Sequence, residues 1–197
     1  MAEGKRKYTH AENESGDGIL GRESDMTDAI NNMIERRSIR KYKPEQIKKE
    51  ELDQILDAGL WAPSGRGMQA PILIAIQDKE TRDKVAKLNA AVMGSDADPF
   101  YGAPTVIVVL AARDRVTAVE DGSACLCNMV NAAHSIGIDS CWIHRAKEVF
   151  DSEEGKALLR EWGVEGDYIG VGNCILGYRD CEYPAAPERK EGRVFRV

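Results

Sequence analysis

Residues 122–143 read GSACLCNMVNAAHSIGIDSCWI, and this one stretch sets a helix, a stop and a strand in succession. Leu126, Met129, Val130 and Ala133 recur at helical spacing, and the small residues Ala124, Ala132 and Ser135 take up the rest of the surface. The spacing predicts a buried central helix ending at Gly137, followed by a strand over 138–143.

Toward the N-terminus, the apolar run 105–111 reads as a strand, and Val85, Leu88 and Val92 mark a helix before it. A short apolar run covers 72–76, and Leu52, Ile55, Leu56 and Leu60 form a helical set that Pro63 stops. Ile30, Met33 and Ile34 mark a first helix, with Thr27 as its cap. Toward the C-terminus, Asp151 with Glu154 resembles a capping box for a helix ending at Gly163, and 168–176 is the last strong strand. After Gly177 the chain is polar and rich in proline. About four strands and five helices in alternation indicate an α/β-type arrangement of helices on a sheet. No strand leads into a GxGxxG or GxxxxGK[ST] loop, so neither a Rossmann dinucleotide site nor a P-loop is supported.

The chain has 197 residues, enough for one substantial core and short for two domains. Hydrophobic residues make up 43% and charged residues 30%, the balance of a folded globular chain. Residues 1–25 mix charges, glycine and serine without periodicity, so they read as a disordered or artificially added N-terminal extension. Folded sequence is expected from Met26 to Val197 as a single domain, Met26 itself resembling a natural start. No apolar stretch approaches the roughly 18 residues of a membrane span, and the N-terminus lacks a signal peptide's apolar core, so a cytoplasmic chain is expected. A net charge of −6 argues against general nucleic-acid binding. The five cysteines include no CxxC pair and the three histidines lack metal-site spacing, which favours buried reduced thiols over disulfides and over a structural metal.

Chemistry concentrates in two segments. In 36–43, RRSIRKYK, the residues Arg36, Arg37, Ser38, Arg40, Lys41 and Lys43 crowd five positive charges and a hydroxyl into a local anion site within an acidic protein. Arg36 and Arg40 share a face if the first helix continues through them. A solvated basic helix end complementing the dipole is the plainer alternative. In 62–69, APSGRGMQ, a breaker-rich loop leaves a helix and enters a strand, where backbone amides and side chains can reach a ligand; a simple helix-terminating turn has the same composition.

Taken in order, these segments resemble the nitroreductase family of flavoproteins, which opens with an R-R-S-x-R helix end followed by an A-P-S loop ending in Gln. The stretch 137–143, GIDSCWI, is similar to the strand after the family's central helix, and 172–178, GNCILGY, to its last core strand. The resemblance runs from Met26 to about Val197.

It implies an α+β fold with a central mixed sheet flanked by helices, in an intertwined homodimer that holds non-covalent FMN in clefts between subunits. NAD(P)H would donate hydride and a small-molecule acceptor, such as a nitroaromatic or a quinone, would collect it in a ping-pong cycle. Carried over position by position, Arg36, Arg37, Ser38 and Arg40 would hold the phosphate and ribityl chain, with Arg40 reaching toward the ring. Pro63, Ser64, Gly65 and Gln69 would come from the partner subunit. Backbone amides near His144 and Arg145 would meet flavin N5, Asn89 the pyrimidine edge, and Arg189 with Lys190 would complete the phosphate site. No protein acid or base is demanded.

Three departures stand out: bulky His144 and Arg145 where a small residue is usual, Gly67 where many relatives have Asn, and Ala70-Pro71 in place of Pro-Trp. The first puts broad nitroaromatic specificity in doubt, and the other two weaken the transfer of substrate contacts. Two other readings remain open here: a dehalogenating, flavin-cleaving or azoline-oxidising branch of the same fold, and a non-catalytic module that recognises a phosphorylated ligand.

Overall fold

The fold is built outward from one strand in which residues 106–111 are all fully buried, because helices cover both faces of the sheet. The structure, a computed structural model, describes residues 27–197, so the expected N-terminal extension lies outside the described residues. In order, the elements are α1 (Asp28–Glu35), α2 (Lys49–Leu60), a 3-10 turn (Gly65–Gly67), β1 (Pro71–Ile76), α3 (Lys79–Met93), β2 (Thr105–Ala112), α4 (Ala118–Ser135), β3 (Asp139–Ile143), α5 (Ala146–Asp151), α6 (Glu153–Glu161) and β4 (Tyr168–Gly177).

The sheet order is β1-β2-β4-β3, and every neighbouring pair is antiparallel. The mixed character implied by the resemblance reduces, among the described residues, to one isolated parallel bridge between Ser38 and Ser140. Alternation along β2 divides the core in two. Val106, Val108 and Leu110 meet Val85 and Ala86 of α3 with Val149, Phe150 and Leu158 of α5 and α6. Ile107, Val109 and Ala111 meet Leu52 and Ile55 of α2 with Leu126, Met129 and Ala133 of α4. An antiparallel strand buried on both faces therefore reads as an unbroken apolar run.

Helix α4 begins four residues before the expected Gly122 and runs through it. A glycine inside a helix costs about 1 kcal/mol relative to alanine. Here it makes room for Val171: a Cβ at position 122 would stand 2.5 Å from a Val171 methyl. Val171 itself bulges from β4, where the β2 register shifts between Val109 and Leu110.

The expected capping box gives way to a single N-cap bond one residue later. Ser152, not Asp151, accepts from the Gly155 amide at 3.0 Å to open α6, while Asp151 closes α5 and pairs with Lys147 and Arg113. Thr27 does stand at the N-cap of α1, yet its side chain makes no cap bond. Cys125, Cys141 and Cys174 are buried and Cys127 and Cys181 exposed, all five free, so one fewer thiol is buried than the apolar context of Cys127 suggested. Among the described residues no helix is long and apolar enough to cross a membrane.

Candidate functional site

Helix α1 stops at Glu35. Arg36 already has extended backbone angles, φ −54° and ψ 134°, so Arg36 and Arg40 do not share a helical face as their spacing suggested. What pulls the chain straight is burial beyond the helix: Ile39 and Tyr42 are in the core, and the Tyr42 hydroxyl donates to the Ile39 carbonyl at 2.9 Å. The Ile39 amide donates to Ser140 at 3.0 Å and Tyr42 bridges to Arg179, fixing the segment across the ends of β3 and β4.

The basic residues of this segment are sorted by that geometry. Arg37 turns back, its Nη1 donating to the carbonyls of Ile34, Glu35 and Arg36 at 2.7, 2.9 and 2.9 Å, and so plugs the C-terminus of α1. Lys41 pairs with Asp180 at 3.0 Å. Ser38 bridges to Ser140, next to the buried Cys141, and Arg36 and Arg40 fall two positions to either side of it along the segment. Burial raises the Cys141 thiol above its ordinary pKa, while a hydrogen bond with Ser38 and the positive charges of Arg40 and Arg36 oppose the rise. Alternation along an extended chain turns residues 36, 38 and 40 to one side, a hydroxyl between two guanidinium groups, the chemistry that suits a doubly charged anion.

The C-terminal tail closes over this region through Tyr183, a residue the sequence reading did not single out. Its hydroxyl donates to the Glu35 carbonyl at 2.9 Å and accepts from the Arg37 amide at 3.1 Å. Its ring stacks on His134 at 6.1 Å, and the Arg179 guanidinium lies 4.9 Å from its centroid. Glu35, Arg37, His134, Asp139, Arg179 and Tyr183 line a cleft of about 670 Å³. Arg189 and Lys190 lie exposed further along the tail.

The loop after α2 is held elsewhere. The Gly65 amide donates to Asp121 at 2.8 Å, Thr117 donates to the same carboxylate at 3.1 Å, and the Gln69 amide donates to the Ser64 hydroxyl at 2.9 Å. Arg66, Gly67 and Gln69 adopt φ of 55°, 67° and 50°, so Gln69 is set in a left-handed conformation at the loop's exit, beyond Pro63 and the Gly65 turn. Asp121 and Thr117 also escaped the sequence reading, since an acid in a helix's first turn reads as a dipole complement.

These two parts sit at different ends of α4. Asp121 holds the loop, whereas Asn131 accepts Asn32 of α1 at 2.9 Å. Ten residues of helix separate them by about 15 Å.

A third element follows β3. Gly170 admits the start of α5 against β4, since a Cβ there would stand 2.2 Å from the Ala146 carbonyl oxygen. Asn89 is fully buried rather than placed at a cleft wall, and both ends of its carboxamide are engaged. Its Nδ2 donates to the His144 carbonyl at 2.9 Å, and its Oδ1 accepts from Arg145 Nε at 2.9 Å. Asn173, also buried, directs its Nδ2 at the same carbonyl from 3.5 Å, and its Oδ1 has no partner. Arg145 has φ +75°, a conformation that favours glycine. The peptide is trans, so a carbonyl held inward turns the Arg145 N–H the opposite way. His144 is exposed, while the Arg145 side chain is drawn to Asn89.

Fold and site together define a class: an α+β protein with a basic extended segment where the sheet begins β3 and a tight, side-chain-braced turn where β3 ends. The nitroreductase family model matches residues 33–97 and 94–178. An Archaeoglobus fulgidus protein named "Putative NADH dehydrogenase/NAD(P)H nitroreductase" is 30% identical over 178 residues, 87% of this chain and 98% of its own. The FMN reductase [NAD(P)H] of Bacillus subtilis is 36% identical over 76 residues, 39% of this chain and 30% of that one. Among solved structures, a nitroreductase with bound FMN from Bacteroides fragilis superposes with a TM-score of 0.79 at 28% identity, covering 87% of this chain and all 100% of that one. The chain belongs to the nitroreductase family.

Proposed function

We propose that this protein is an NAD(P)H-dependent FMN oxidoreductase that works as a homodimer on small acceptors such as nitroaromatics or quinones. The observation that carries the reading is the extended segment after α1, in which Ser38 bridges to Ser140 and Arg36 and Arg40 fall two positions to either side of it, a fitting seat for the phosphate of FMN. The flavin, when bound, supplies two-electron transfer between nicotinamide and acceptor. The chain's own residues bind and orient it. The arginines and Ser38 take the phosphate and ribityl end, Arg37 and Tyr183 shape that end's wall, and Arg189 and Lys190 reach it from the tail. The Arg145 amide faces the ring. FMN in the Bacteroides fragilis structure and the name of the Bacillus subtilis relative support the cofactor and the donor.

A second copy of the chain completes the site. The loop carrying Pro63, Ser64, Gly65 and Gln69 is fastened some 15 Å along α4 from the contact with α1, and in this reading it serves the ligand of the partner subunit. Helix α1 supports the pairing: it buries none of its residues and leaves Ile30, Met33 and Ile34 exposed. Covering such side chains contributes about 1.5–3 kcal/mol each. His144, exposed beside the turn, narrows the acceptor side, while Arg145 does not because Asn89 holds its guanidinium. Five unpaired thiols suit the reducing cytoplasm.

The test is direct. The purified protein should be yellow, carry one FMN per chain, sediment as a dimer and consume NADH or NADPH in the presence of an acceptor, donor and acceptor taking turns in ping-pong kinetics. A colourless protein that takes up no FMN in titration would dismiss the reading in favour of a phospholigand-binding module.

A further inference from the structure

We infer that Asn89 is a positioning residue that sets the reduction potential of the bound flavin through the peptide joining His144 to Arg145. The inference rests on the FMN reading above and concerns which end of that peptide faces the ring.

Asn89 comes from α3, among Val85, Ala86 and Ala90 on the helix face turned to the sheet. Packing alone asks for an apolar side chain there, and an unpaired carboxamide would be costly to bury. Its two bonds are both made to the one turn. The donor end fixes the His144 carbonyl at 2.9 Å, and the acceptor end fixes Arg145 Nε at 2.9 Å. Asn173 adds longer contacts, shared between the Ile143 and His144 carbonyls at 3.4 and 3.5 Å. The Asn89 bond is therefore the main restraint on this peptide, and a flip would break it.

The backbone at this point needs such a restraint. Arg145 sits at φ +75° without glycine's freedom, so the turn holds a conformation its own residue disfavours. Rotation of the 144–145 peptide would exchange the N–H for the carbonyl on the open side. A donor there stabilises electron density arriving on the ring; an acceptor opposes it. The Asn89 donor therefore selects the orientation that favours the reduced cofactor, and Arg145 fastens Asn89 in place.

The experiment compares the holoprotein with Asn89→Leu and Asn89→Asp, reading FMN content and the midpoint potential by equilibration against reference dyes. Leu removes both bonds while keeping the branched shape. Asp keeps an acceptor for Arg145 but turns a carboxylate toward the His144 carbonyl, and it decides the question if the Leu variant does not fold. Both variants should keep FMN within twofold of the parent, because the phosphate seat lies elsewhere. Each should lose at least tenfold in the preference for reduced flavin, about 30 mV more negative for a two-electron couple. Lys87→Ala, on the exposed side of α3, should leave the potential unchanged. Variants that bind FMN normally with the parental potential overturn the inference and leave the FMN reading standing. A parent protein that binds no FMN removes both.

Discussion

The amide of Gly65 donates to the carboxylate of Asp121 at 2.8 Å, so the loop after α2 is fastened to the first turn of α4. Asp121 is buried at 5% exposure, and Thr117 holds its other oxygen. Asp121→Ala should cost about 1.5–3 kcal/mol, the range for hydrogen bonds to a charged group. Urea denaturation gives the number. Weaker FMN binding should accompany it, since the same loop presents Ser64 and Gln69. An unchanged midpoint would show that the loop does not depend on this bond.

Loss of Arg36 and Arg40 together should empty the site without unfolding the chain. Neither side chain belongs to the core, whereas charge-assisted bonds to a phosphate contribute about 1.5–3 kcal/mol each. The double alanine variant should therefore bind FMN at least about 100-fold more weakly, by fluorescence titration, with an unaltered circular dichroism spectrum. Retention of flavin would remove these arginines from the phosphate seat.

Two glycines should respond differently to alanine. At Gly170 the new Cβ would stand 2.2 Å from backbone oxygen, so α5 must retreat from β4, at a cost of at least about 1–3 kcal/mol. At Gly67 nothing lies within 4 Å, and only the φ of +67° opposes the change, at about 1–2 kcal/mol. Thermal melts should rank Gly170→Ala as the more damaging. The reverse order would contradict the packing of α5.

Stability should depend on pH through His134. Burial beside Tyr183 holds its imidazole below the ordinary pKa of 6.5, against the opposing charges of Glu35 and Asp139. A depressed histidine pKa means that the unfolded chain binds the proton more readily. The neutral ring's contribution is thus present above pH 6.5 and declines as pH falls through 6.5 toward the folded value. His134→Gln should flatten the fall in denaturation midpoint between pH 7 and pH 5. An equally steep fall in the variant would assign the dependence elsewhere.

Much of this architecture can be read from the sequence. Strands β2 and β4 declare themselves because cover on both faces leaves them apolar at almost every position. The basic character of 36–43 is equally visible, as charge density in an acidic chain. The end of α1 is not visible: neither glycine nor proline follows Glu35, and the helix stops because Ile39 and Tyr42 are claimed by a core formed from distant residues. Helix α5 went uncounted for a related reason, being six residues long with three of them buried. Asp121, Tyr183 and the two bonds of Asn89 depend on contacts spanning 55 to 148 positions, and no local pattern announces such partners.

Helix α4 acts as a ruler. In the proposed homodimer it would separate the surface that grips one ligand from the surface offered to the neighbouring one, so that each chain serves two ligands from opposite ends of a single rod. Lengthening the rod by one turn would shift those ends apart by about 5.4 Å, in both cavities at once. Evolution can vary the tail residue by residue, but the span of this rod can change only if both chambers are refitted together.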